Sequence, residues 1–261
     1  MRAREALAEA ERRLEAAGVD TPRVDAELLL AHVLGTTRSG VYGVLDREIG
    51  DRLEPLLARR ETREPLAYVL GEWGFRRLTL KTDARALVPR PETEIVVERA
   101  IALLDGVDAP RVLDIGVGSG AIALALKDER PDAQVTGVDV SDEALSLARE
   151  NAALLDLDVD LRRGGVEDAA ENWDLVVSNP PYVETLDGLQ PELRHEPGGA
   201  LLGNGFHERI AGEARTRFLV LEVGLGQAER VASVLHAHGY EDVTITRDLA
   251  GIERVVEGKR A

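Results

Sequence analysis

The chain has no cysteine. Disulfides and thiolate metal sites are therefore excluded. Its histidines, His32, His195, His207, His236 and His238, fall in no HxxxH or HExxH arrangement, so no metal centre is expected. No apolar run approaches membrane-spanning length, and the N-terminal MRAREALAEAERR is charged where a signal peptide would be apolar. The expected location is cytoplasmic, with no membrane partner. Lysine is scarce, confined to Lys81, Lys127 and Lys259. Basic charge is short where nucleic acid would need it. Residues 92–261 hold 16 basic and 33 acidic residues, a net −17, while residues 1–91 are close to neutral. Phosphate contacts dominate nucleic-acid affinity, so an acidic region of this kind argues against a direct nucleic-acid partner.

What is present suits a soluble α/β protein. The 261 residues, 44% of them hydrophobic, suffice for one full domain and a smaller companion. Residues 1–17 and the stretch VDTPRVDAELLLAHVLG predict two helices, the second capped by Thr21 or Asp25 and stopped at Gly35. Two shorter helices are expected at 37–45 and 47–61. Alternation in FRRLTLKT predicts a hairpin within 66–91. From residue 92 onward strand and helix alternate. RVLDIG, QVTGVDV, VDLRRG, DLVVSN and FLVLEVG read as strands, and Ser141 as the cap of a helix. A helix follows over about 226–238, and VTITRD and IERVVEG close the chain as antiparallel strands. Alternating elements predict a mainly parallel sheet with helices on both faces.

Two motifs carry chemistry. In LDIGVGSGAIALAL, Gly116, Gly118 and Gly120 sit at a strand-to-helix turn, where glycine lets a ligand approach the backbone. Asp114 lies where a carboxylate reaches a cationic ligand group. Asp139 ends the next strand, placed to take both hydroxyls of a ribose. Position 123 is Ala, against the dinucleotide fingerprint, and no lysine follows for a phosphate. The pattern resembles the S-adenosylmethionine site of class I methyltransferases. That cofactor has two cationic groups and no phosphate, which is compatible with an acidic domain.

The second motif is SNPPY at 178–182. Two prolines remove two N–H donors and stiffen the turn. The Asn179 side-chain oxygen and the Pro180 carbonyl are placed to accept the two hydrogens of a planar amino group, with Tyr182 packing beside it. In a doubly wound sheet this turn and the glycine turn converge on one crevice. The pattern is shared by enzymes that methylate amino groups of adenine, cytosine and glutamine, so it gives the chemistry and leaves the substrate open.

Longer stretches narrow the choice. REPLAYVLGEWGF, LVPRPETE, LDIGVGSGAIALAL, VVSNPPYV, RHEPGGAL and LAGIERVVEG resemble the protein release-factor glutamine methyltransferase family, from about residue 20 onward. The resemblance implies a Rossmann-like class I methyltransferase domain with a mainly parallel seven-stranded sheet over 92–261. It also implies a small N-terminal helical substrate-recognition domain over 1–65 and a β-hairpin linker over 66–91. The reaction implied is N5-methylation of the glutamine in the GGQ motif of class 1 peptide chain release factors, with S-adenosylmethionine converted to S-adenosylhomocysteine. By position, Asp114, Gly116, Val117, Gly118, Ser119, Gly120, Asp139 and Asn179 would hold the cofactor. Asn179, Pro180, Pro181 and Tyr182 would hold the glutamine amide, with Asn179, Pro180 and Tyr182 as the catalytic group. Arg90 and Glu92 would shape the substrate entrance; a structural turn with a helix cap at Thr93 is the other reading of that stretch.

Three departures stand out. The aromatic residue often found after the third strand is replaced by RRGGVED, with Val166 nearest the adenine position. The Gly-Gly-x-Asp-Gly loop is shortened to LLGNGFHERI, and EARTRFLVLEVG lacks a Pro-Gly-Gly turn. These changes are expected to lie away from the crevice. A monomer is expected. The alternatives are a glutamine methyltransferase of a ribosomal protein and an adenine-N6 nucleic-acid methyltransferase. A non-catalytic cofactor-binding protein is disfavoured because the glycines and Asn179 are intact.

Overall fold

Helix α1 (Ala3–Ala16) buries Ala3, Ala6, Leu7, Ala10 and Leu14, a stripe at i, i+3, i+4 and i+7 that seeks a partner. It finds one in α2 (Pro22–Leu34), which has proline in its first turn and ends at Gly35 with φ 63°. Thr21 precedes α2, but its hydroxyl bonds the Asp25 carboxylate at 2.7 Å instead of capping the backbone. The helices expected at 37–45 and 47–61 are shorter. The first is a 3-10 turn, Ser39–Gly43, and the second begins only at α3 (Glu54–Glu61). Gly40 and Gly43 weaken the one, and Gly50 with φ 59° delays the other. After α4 (Leu66–Leu70) comes the hairpin of β1 (Glu72–Phe75) and β2 (Leu78–Lys81).

The remaining elements alternate. They are α5 (Thr93–Leu103), β3 (Arg111–Ile115), α6 (Ala121–Glu129), β4 (Gln134–Asp139), α7 (Asp142–Leu155) and β5 (Asp160–Arg163). Then follow β6 (Asn172–Ser178), α8 (Gly198–Leu201), α9 (Phe206–Glu213), β7 (Arg215–Glu222), α10 (Ala228–Ala237), β8 (Glu241–Arg247) and β9 (Glu253–Lys259). Seven strands form one sheet in the order β5-β4-β3-β6-β7-β9-β8. The five strands from β5 to β7 are parallel, and β9 runs antiparallel to β7 and β8. Ser141 caps α7 as expected, accepting from the Ala144 N–H at 3.2 Å. One apolar layer joins α5 and α6 to the sheet through Val96, Leu104, Leu124 and Val112; the other joins α9 and α10 through Ile210, Val231, Leu113 and Leu219.

This computed structural model describes residues 1–183, 185, 188–203 and 205–260. They divide into two units, 1–72 with 189–195, and 73–188 with 196–261. This differs from the expected division at 65 and 91. Phe75, Leu78 and Leu80 of the hairpin are buried in the same apolar cluster as Val96 and Val112, so the hairpin packs with the sheet unit. Segment 189–195 is tied to the helical unit by Gln190 donating to Asp20 at 3.0 Å, by His195 Nε2 lying 3.2 Å from the Thr62 carbonyl, and by the Glu192 carboxylate. Glu192 accepts from Arg60 at 2.9 Å and from Arg63 at 2.6 and 2.8 Å. Arg60, 5% exposed, also donates to Asp25 at 2.7 Å, and Asp25 is 4% exposed.

Removing Arg60 would leave Asp25 buried without its cation. Arg60→Ala is expected to destabilise the helical unit by about 3–5 kcal/mol. Urea unfolding followed by circular dichroism measures this, and an unchanged midpoint would contradict the pairing.

Candidate active site

Parallel register assembles the site. β3 lies between β4 and β6, with Ile115 opposite Val138 on one side and Ser178 on the other. The residues that follow, Gly116, Asp139 and Asn179, therefore meet at the carboxyl edge of the sheet, where ligands of such sheets bind.

The glycine turn is held by backbone bonds. The N–H groups of Gly116 and Val117 both donate to the Val138 carbonyl, at 2.8 and 3.0 Å. Asp139 fastens the other side, Oδ2 accepting from Gly118 N at 3.0 Å and Oδ1 from Ser141 N at 2.9 Å. Gly116 has φ 76°, and a Cβ there would meet nothing within 4 Å. Gly120 has φ 90°, and a Cβ there would stand 2.8 Å from Leu124 Cδ1. The first glycine thus leaves open space, and the last leaves room for the Leu124 side chain in the first turn of α6. Val117 and Ser119 are buried, at 4% each, so they offer the crevice backbone more than side chain.

Asp114 is 1% exposed. Its Oδ2 accepts from Ala123 N at 3.1 Å, while Oδ1 has no partner among the described residues. Burial pushes this carboxyl up to about 7, and the neighbouring Asp139 charge adds to the effect. A buried, half-satisfied carboxyl favours a cationic neighbour.

The SNPPY turn is braced on every side. Ser178 Oγ donates to the Ile115 carbonyl at 2.7 Å, tying the turn to β3. Asn179 Nδ2 donates to Thr93 Oγ1 at 3.1 Å. Thr93 Oγ1 donates in turn to Glu222 Oε2 at 2.6 Å, and the Tyr182 hydroxyl donates to Glu222 Oε1 at 3.3 Å. Gln227 Nε2 holds the Tyr182 carbonyl at 3.1 Å. Burial pushes the Glu222 carboxyl up to about 7 against the opposing bonds from Thr93 and Tyr182. Burial likewise raises the Tyr182 hydroxyl, which stays protonated. Among the described residues, Asn179 Oδ1 and the Pro180 carbonyl accept no hydrogen bond. Two acceptors on successive residues thus stay unbonded among the described residues.

Residues 5–71 match the PrmC N-terminal domain, and residues 97–196 match the methyltransferase small domain. Over its whole length the chain is 43% identical to a release factor glutamine methyltransferase of Deinococcus radiodurans, covering 99% of that protein. The chain belongs to the release factor glutamine methyltransferase family. A Caulobacter vibrioides relative of the same name is 39% identical over 94% of this chain and 92% of its own. Among solved structures, the hMettl16 catalytic domain in complex with a 3′UTR hairpin is similar in fold, with TM-score 0.57 and 16% identity over 79% of this chain and 82% of that one.

Three segments of this release factor glutamine methyltransferase family member, LVPRPETE, RHEPGGAL and LAGIERVVEG, are linked by ion pairs. Glu196 of RHEPGGAL, 6% exposed, accepts from Arg90 of LVPRPETE and from Val88 N at 3.2 Å. Glu92 lies 3.6 Å from Arg254, which also holds Asp248 at 2.9 Å. Arg90 and Glu92 therefore carry structural ion pairs at this edge. Thr93 is no cap: it is the first residue of α5, and its hydroxyl is spent on Glu222. Val166, at 4% exposure, packs in the cluster of Val138 and Trp173, leaving little side-chain surface for a ligand.

The shortened loop does not lie away from the crevice. Val183 bridges Leu202, with Val183 N donating to Leu201 O and Gly203 N to Val183 O, each at 3.1 Å. A Cβ on Gly203 would stand 2.7 Å from Pro181 Cβ. The altered stretch thus buttresses the residue after NPPY; its Asn204 falls outside the described residues. Glu222 carries no expectation from the sequence, and Thr93 is expected there only as a helix cap. A glutamate inside the buried run FLVLEVG was the available signal.

Gly120→Ala is expected to cost more stability than Gly116→Ala. The left-handed backbone costs each about 1–2 kcal/mol, and only the former drives a methyl into buried Leu124. Thermal unfolding without ligand compares them, and equal losses would contradict the packing role.

Proposed function

We propose that this chain methylates the side-chain amide nitrogen of the glutamine in the GGQ motif of class 1 peptide chain release factors, using S-adenosylmethionine. The observation that carries the reading is the acceptor pair of Asn179 Oδ1 and Pro180 O, beside the glycine turn in a chain of this family. The Asp114 Oδ1 left without a partner and the open space at Gly116 fit a cationic ligand that needs backbone access. Asp114 would face its ammonium group and Asp139 its ribose hydroxyls. When bound, S-adenosylmethionine supplies an electrophilic methyl group on a positively charged sulfur.

The protein's task is to make a poor nucleophile competent. An amide nitrogen shares its lone pair with the carbonyl, so orientation and electrostatics must compensate. Asn179 Oδ1 and Pro180 O accept the two amide hydrogens and favour positive charge growing on nitrogen. The two prolines keep these oxygens in place without adding donors of their own. Tyr182, held at both hydroxyl and carbonyl, walls the amide. A cytoplasmic, monomeric enzyme acting on protein goes with this reading. No described helix is long and apolar enough to cross a membrane.

Asn179→Ala is expected to reduce transfer of labelled methyl to purified release factor by about 10²–10³-fold, a loss larger than any fall in affinity for S-adenosylhomocysteine. Near-wild-type turnover would contradict the clamp. Asp114 adds a pH dependence. Its carboxyl is raised to about 7, and a bound cation favours the ionised form, so binding expels a proton at lower pH. Affinity for S-adenosylhomocysteine, measured by calorimetry, is expected to fall as pH drops below about 7. The slope should flatten in Asp114→Asn; an unaltered slope in that variant would remove Asp114 from the site.

A further inference from the structure

We propose that Glu222 and Thr93 are positioning residues that set which end of the Asn179 amide faces the substrate. The inference rests on the glutamine-methylation reading. An asparagine side chain has nearly the same shape after its oxygen and nitrogen exchange places, so shape alone does not choose between the two states. The choice matters here, because a flipped Asn179 would present an NH2 group to a substrate NH2 group. Two donors would face each other, and neither would have an acceptor.

The polarity is set one hydrogen bond at a time. Glu222 is 2% exposed and receives two donors, Thr93 Oγ1 at 2.6 Å and the Tyr182 hydroxyl at 3.3 Å. A carboxylate only accepts, so ionised Glu222 claims the single hydrogen of Thr93. Thr93 Oγ1 then offers Asn179 lone pairs alone, and only Nδ2 can bond to it, at 3.1 Å. The Asn179 oxygen is thereby left for the substrate. Thr93 itself is 4% exposed, so water does not readily substitute for either partner.

Protonation of Glu222 would remove the constraint. A carboxylic acid donates its own hydrogen to Thr93, freeing that hydroxyl to donate to a flipped Asn179. Burial raises this carboxyl to about 7, which puts the change near neutrality. The other charged or titratable groups around it are Glu92, which raises it further, and Arg254, which opposes. Asp248 pairs with Arg254 behind them, and Arg90 lies near Tyr182. His207 Nε2 lies 2.8 Å from the Glu222 carbonyl, but burial pulls that imidazole below its usual value. Asp114 also titrates near 7, so turnover must be read with the methyl donor saturating.

The test combines turnover with a spectroscopic readout that needs no substrate. In wild type, kcat at saturating donor is expected to fall as pH drops through about 7. Glu222→Gln should abolish that limb, because an amide does not titrate there, and Glu222→Leu, which leaves the Thr93 hydroxyl without its acceptor, should lower kcat about 10- to 100-fold. Thr93→Val should match that loss, and Thr93→Ser should restore most of the rate. By 15N NMR of the protein alone, Asn179 side-chain NH2 protons should exchange slowly in wild type and Thr93→Ser, and fast in Thr93→Val. An unchanged acid limb in Glu222→Gln, or slow exchange persisting in Thr93→Val, would overturn the proposal. If no variant methylates release factor but the NMR pattern holds, the substrate assignment fails and the orienting role stands.

Discussion

Everything at this site depends on the parallel pairing of β3 with β4 and β6. Ile115 sits opposite both Val138 and Ser178, and a shift of register on either side would separate the glycine turn from its partners. The register is reinforced by side chains at the strand ends. Ser178 Oγ bonds across to the Ile115 carbonyl, and Asp139 bonds across to Gly118. A ligand-binding crevice thus follows from ordinary sheet geometry, sharpened by two short polar residues that stop the strands in step.

Two buried carboxyls give the edge its character. Among the described residues, Asp114 has one oxygen unpaired, and Glu222 has both oxygens engaged. Both are raised by burial to about 7. Their partners differ, and so do the roles proposed for them. An unpaired buried oxygen favours a cation, whereas a doubly bonded one orients its neighbours. The acidic surface of the sheet unit is a separate matter, and neither carboxyl contributes to it, because both are buried.

Much of this was legible in the sequence, for physical reasons. Strands such as RVLDIG and DLVVSN are short apolar runs closed by a glycine or a polar residue, so tertiary context had little to override. Ser141 announced its helix because capping is local. The stretch at 37–61 misled because its composition favours helix while Gly40, Gly43 and Gly50 break it up. The motif residues Gly116 and Asn179 were readable because each lies in an unusual local pattern. Thr93 and Glu222 are 129 residues apart, and only the packing of α5 against β7 brings them together. The shortened loop near Leu202 was misplaced for the same reason: its pairing with Val183 is a tertiary bridge between segments with no shared local pattern.

The central claim is that the SNPPY turn presents acceptors to a glutamine side-chain amide of a release factor. The most direct measurement is fragment-ion mass spectrometry of release factor after incubation with the enzyme and S-adenosylmethionine. The account predicts a single added methyl group on the side-chain nitrogen of the GGQ glutamine. A methyl group found on another residue, or none on that glutamine, would contradict it.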